Sequence, residues 1–155
     1  MKLELKHLAG YLPYGLVFMY DSEPSEYLML GLTKESIKLD EATEDLKPCW
    51  VGYNDYYKPV LRPLSDLDKK IYTGEGWFIP IQEIFHDYRK NLILRTSFVD
   101  GTLAELWLDY PNRQGEYVQE SVFTTIDLFK LYEWHFDIHN LIEKDLAINI
   151  NDLNK

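Results

Sequence analysis

Asp100-Gly101 separates two apolar runs, LILRTSFV (92–99) and TLAELWLDY (102–110). Asp-Gly adopts positive φ at both central positions of a two-residue turn at little cost, and such a turn matches the twist of paired strands. The pattern commits this part of the chain to an antiparallel hairpin. A second antiparallel region is expected upstream. There GLVFMY (15–20) and YLMLGL (27–32) flank the polar loop DSEPSE, and Ile37-Lys38-Leu39 follows. CWVGYNDYYKPV (49–60) adds two aromatic-rich runs around Asn54-Asp55, a tight-turn pair. Tyr72 to Trp77, with Gly74 and Gly76, reads as a loop.

Helices are expected in three places. Residues 1–12 suit a short one, limited by Gly10 and Pro13. Pro80 suits a first helical position, and Ile81, Ile84, Phe85 and Tyr88 then share a face, which predicts a helix near 80–90. The longest is expected within Glu116–Asn151. Its polar stripe is Glu120, Thr124, Asp127, Lys130 and Glu133, and Val122, Ile126, Phe129, Tyr132 and Phe136 lie on the far side. Asn140 suits a left-handed helix end, and Leu146 to Ile150 a short terminal strand. The expected fold is one α+β domain over residues 1–155. It is a mostly antiparallel sheet packed by a long C-terminal helix and the shorter helix near 80–90. A chain of 155 residues fits one such domain.

Charge narrows the function. The net charge of −10 is spread as −5 over residues 1–57, +2 over 58–95 and −7 over 96–155. An acidic surface repels phosphate backbones within a Debye length of about 8 Å and attracts basic partners. Direct nucleic-acid binding is disfavoured, and a basic protein is the favoured partner. The one cysteine, Cys49, excludes an intrachain disulfide and suits a reducing compartment. The N-terminus has no continuous apolar stretch of signal-peptide type, and no run approaches the roughly 18 apolar residues of a membrane span. A cytoplasmic setting is expected.

No catalytic motif stands out. His135-x3-His139-x3-Glu143 would put three ligands on one face of an unbroken helix, with Glu133 and Asp137 nearby. It lacks the His-Glu-x-x-His order that gives zinc proteases their general base. This leaves a metal-dependent enzyme using His135 and His139 as an alternative only, and no cofactor is implied. Candidate partner-binding residues fall in three places. The first is the acidic run containing Asp40, Glu41, Glu44 and Asp45. The second is the aromatic turn of Tyr53, Asp55, Tyr56 and Tyr57, since tyrosine is enriched at interfaces. The third is Trp134, beside Glu133 and Asp137.

Three segments carry a resemblance: HLAGYLPYGL (7–16), KPVLRPLSDL (58–67) and LYEWHFDIHNLIEKDLAININ (131–151). They resemble a family of uncharacterised proteins of phages, prophages and mobile elements in Bacteroidetes-type bacteria. Where small residues are expected in the last segment, this chain has Asn140 and Asp145. The resemblance implies a non-enzymatic protein, acting in the host cytoplasm, that binds and blocks a basic, nucleic-acid-handling host protein. An anti-CRISPR acting on an RNA-targeting Cas13b-type effector, or on another defence nuclease, fits that description. A structural or assembly component of a mobile element is the other implied role.

Overall fold

In the computed structural model, Asp100 and Gly101 both take positive φ, 51° and 76°, and the hairpin closes as the sequence predicts. The structure describes residues 2–20, 23–41, 47–53, 56–85, 93–112, 114–121 and 124–153. In chain order the elements are α1 (Leu5–Leu8), a 3₁₀ segment (Ala9–Tyr14), β1 (Val17–Tyr20), β2 (Glu23–Leu32), β3 (Ser36–Glu41), β4 (Cys49–Gly52) and β5 (Tyr57–Leu61). A 3₁₀ turn (Leu64–Asp66), β6 (Ile71–Tyr72), β7 (Trp77–Phe78), α2 (Pro80–Phe85), β8 (Ile93–Val99), β9 (Thr102–Pro111) and β10 (Tyr117–Ser121) follow. The chain ends with α3 (Thr125–Glu133), β11 (Ile148–Asn149) and a last 3₁₀ turn (Ile150–Asp152). The architecture is α+β, with mostly antiparallel sheets and few helices.

The chain divides into two compact units: Met1–Pro63 with Tyr132–Lys155, and Leu64–Leu131. The first holds a six-stranded sheet in the order β11-β5-β1-β2-β3-β4. β1 to β3 form the expected meander and β4 extends it, while β5, read in the sequence as the run across a tight turn from β4, pairs antiparallel with β1 instead; Asn54 and Asp55 lie outside the described residues. Only β11 is parallel to its neighbour, β5. Alternation along the strands buries Phe18, Met29, Ile37, Leu39 and Leu61.

The three segments singled out in the sequence contribute directly to this unit's core. Tyr11 is fully buried and donates its hydroxyl hydrogen to the Phe136 carbonyl at 2.6 Å. The Ile138 N–H in turn donates to the Tyr11 oxygen at 3.4 Å. The Tyr132 ring meets the Tyr11 ring edge-on at 4.7 Å. Arg62 pairs with Phe136 in a short parallel bridge, with Arg62 N–H donating to His135 O and Asp137 N–H to Arg62 O, both at 2.8 Å. Residues 7–16, 58–62 and 132–149 thus pack together from distant parts of the sequence.

That packing explains why the long C-terminal helix is absent. α3 has nine residues and stops at Glu133. His135 takes a left-handed φ of 57°, which breaks the helix and directs Phe136, Ile138 and Leu141 into positions of zero exposure. The Asp137 carboxylate then accepts N–H bonds from Leu141 and Ile142, each at 2.8 Å, in place of helical carbonyls. Asn140 and Asp145 also take left-handed φ, 52° and 56°, a conformation their side chains tolerate. The expected faces of α3 hold only in part: Thr124 and Glu133 are exposed and Tyr132 is half-buried, as read, but three positions differ. Asp127 is buried, its carboxylate accepting from the Thr124 N–H and hydroxyl, while Ile126 and Phe129 are exposed. An N-terminal capping interaction outranks helical periodicity here.

The second unit holds the three-stranded sheet β10-β9-β8 and the two-stranded pair β6-β7. The segment read as a loop from Tyr72 to Trp77 is the turn of that pair, and these two residues face each other across it. α2 begins at Pro80 as predicted and buries Ile81 and Ile84; Tyr88 lies outside the described residues. Among the described residues no helix is long and apolar enough to cross a membrane.

Gly10 leaves no room for a side chain, because a Cβ there would fall on the Tyr132 ring. Gly10→Ala should destabilise the protein by about 2–3 kcal/mol, read as a lower urea midpoint at unchanged slope. An unchanged midpoint would mean that Tyr132 can move aside at no cost.

Candidate functional site

The proposed ligand helix does not exist, so His135, His139 and Glu143 do not share a face. The His135 Nε2–H donates to the Tyr14 carbonyl at 2.9 Å, and burial lowers this imidazole's pKa. Glu143 is exposed and accepts from the Asn140 amide at 3.2 Å. His139 is buried with His7, their ring centroids 5.5 Å apart. Among the described residues no group of three His, Cys, Asp or Glu could hold a metal ion.

The His7–His139 pair is an electrostatic feature of the core. Burial holds His7 below the usual histidine value, and the Lys6 charge adds to the effect. Burial, then His7 and Lys144, take His139 from 6.5 down to about 4. His7 Nδ1 accepts the Glu4 N–H at 3.1 Å, and the Lys144 ammonium donates to the His139 carbonyl at 2.8 Å. Burial pushes the Asp137 carboxyl up, against backbone N–H groups that favour its ionised form. Both histidines are therefore neutral at pH 7.

The arrangement best suited to contacting another molecule lies at one end of the six-stranded sheet. Antiparallel order brings the C-terminal ends of β1 and β3 together with the N-terminal ends of β2, β4 and β5. Tyr20 sits opposite Tyr57, and Phe18 opposite Tyr27. The rings form a continuous cluster. Tyr56 stacks on Tyr20 at 6.2 Å with planes 30° apart, Tyr20 meets Tyr57 at 5.0 Å, and Tyr57 meets Tyr27 edge-on at 5.3 Å. Tyr20, Tyr27 and Tyr57 are half-buried, whereas Tyr56 is 61% exposed. The register also sets Glu23 opposite Tyr20 and Glu41 opposite Tyr27. Tyrosines and acidic backbone positions converge on one sheet end.

The sequence-predicted contact residues divide accordingly. Tyr56 and Tyr57 belong to the cluster, and Glu41 ends β3 beside it. Asp40 is half-buried on β3, opposite Leu28. Tyr53 is not a surface residue: it is buried, and its hydroxyl donates to the Thr33 carbonyl at 2.7 Å. Trp134 is half-buried just after α3. Glu44, Asp45 and Asp55 lie outside the described residues. Tyr20 and Tyr27 escaped the sequence reading, because only strand pairing brings them to Tyr56 and Tyr57. A second exposed aromatic pair, Tyr72 and Trp77, lies in the other unit with the Lys70 ammonium 5.9 Å from the Trp77 ring.

No family model matches the chain, and no match is found among curated proteins or solved structures.

The histidine pair makes stability depend on pH. Below pH 6.5 the unfolded chain binds protons that the folded His7 and His139 refuse, down to about 4 for His139. Their contribution is complete above pH 6.5 and lost as pH falls, with a slope of up to about 1.4 kcal/mol per pH unit for each histidine. Asp137 acts with the opposite sign, since the folded state keeps its proton above the pH at which the unfolded chain releases it. The urea midpoint should drop between pH 7 and pH 5, and His139→Phe should flatten that drop. An equal drop in parent and variant would remove His139 as its cause.

Proposed function

We propose that this protein is a non-enzymatic binding protein that docks on a basic, nucleic-acid-handling host protein and inhibits or modulates it. The observation that carries the reading is the tyrosine cluster with its exposed Tyr56, at a sheet end where Glu23 and Glu41 also lie, on a chain of net charge −10. Tyrosine supplies large contact area at low entropic cost, and carboxylates steer a basic surface toward it. A channel that normally holds a nucleic-acid backbone is such a surface. The three segments similar to mobile-element proteins direct the choice of target toward bacterial defence nucleases. The specific form of the proposal is an anti-CRISPR acting on a Cas13b-type RNA-guided effector in the host cytoplasm.

The reading is tested by titrating the purified protein into a Cas13b-type effector with guide and target RNA. Target cleavage should fall as the protein approaches stoichiometry, and association should weaken severalfold from about 50 to 200 mM salt, because screening shortens the reach of the acidic surface. Full cleavage at saturating protein excludes this target. Absence of salt-dependent binding across a panel of basic nucleases and polymerases overturns the wider reading.

A further inference from the structure

We propose that the tyrosine cluster reads arginine: it docks an arginine-rich segment of a partner protein and selects arginine over lysine. This rests on the basic-partner reading above and names the side chain that the surface would recognise.

The geometry favours a planar cation. Tyr20 and Tyr56 present rings only 30° from parallel at 6.2 Å, and Tyr57 and Tyr27 continue the array at 5.0 and 5.3 Å in tilted and edge-on orientations. A guanidinium is flat, delocalised and weakly hydrated, so it can lie against a tyrosine ring and still direct its N–H donors sideways to carboxylates. An ammonium is a compact, strongly hydrated charge without a face to stack. The backbone register brings the acidic positions Glu23 opposite Tyr20 and Glu41 opposite Tyr27 along the same sheet end. A carboxylate next to an aromatic face pairs with arginine in a forked, two-bond geometry that lysine lacks.

Two other uses of the cluster fit less well. Tyrosines that merely cover the sheet edge would all be at least half-buried, whereas Tyr56 is 61% exposed. A stacking platform for nucleic-acid bases needs a basic groove to follow the backbone, and residues 1–57, which hold all four rings, carry −5. The charge that repels phosphate is the charge that attracts guanidinium.

The test compares a fluorescein-labelled oligoarginine with an oligolysine of equal length, by anisotropy titration of the full chain at fixed salt. Tyr56→Ala and Tyr56→Phe are run beside the parent, with thermal melting to show that each remains folded. Oligoarginine should bind about two- to fivefold tighter than oligolysine, the range of a single exposed cation–π contact. Tyr56→Ala should remove most of that ratio and Tyr56→Phe should keep it. Equal binding of the two peptides overturns arginine selection while leaving a basic partner in place. A preference untouched by Tyr56→Ala overturns its location at this cluster. Failure of both peptides to bind overturns the basic-partner reading itself.

Discussion

The hydrogen bond from the buried Tyr11 hydroxyl to the Phe136 carbonyl joins residues 125 positions apart. A polar group removed from water is costly unless it is satisfied, and here the same oxygen also accepts the Ile138 N–H. Meeting that requirement places the N-terminal 3₁₀ segment against the loop that follows α3. Other contacts of the first unit then follow. Gly10 must lack a side chain beneath Tyr132, His135 must leave the helix to reach Tyr14, and Arg62 gains a bridge partner that leads the chain on toward β11. The bond is central because it closes a separation of 125 positions at a site of no exposure.

This division separates folding from recognition. The segments 7–16, 58–62 and 132–149, which look most distinctive in the sequence, are occupied in packing against one another. The candidate contact surface is built from Tyr20, Tyr27, Tyr56 and Tyr57, which lie outside all three. Docking chemistry therefore has to be read from ring geometry and charge. His135 and His139 show the same lesson. Their spacing suggests metal ligands, yet one satisfies a backbone carbonyl and the other is packed against a second neutral histidine. Interior histidines held in this way couple the core to pH.

Local signals determined much of the architecture. Asp100-Gly101 set the β8–β9 turn through its tolerance of positive φ, the alternating runs from residue 15 to 39 formed the meander, and Pro80 opened α2. Each depends on backbone preferences of neighbouring residues, which composition and spacing report directly. The acidic balance is likewise a property of the chain alone.

Tertiary structure decided the rest. The spacing of polar residues predicted a long C-terminal helix, but burial of Phe136, Ile138 and Leu141 ended α3 at Glu133, and the capping Asp127 lies on its buried side. Tyr53 went inward with its hydroxyl donating to the Thr33 carbonyl, while Tyr20 and Tyr27 joined the cluster only through the pairing of β1 with β5 and with β2. Such outcomes depend on which distant groups must share a low-dielectric interior, and single-chain spacing does not encode that competition. The sequence by itself determined turns, strand segments and charge. Which aromatic side chains gathered at the sheet end was settled by long-range strand pairing, and which went inside by the satisfaction of buried polar groups.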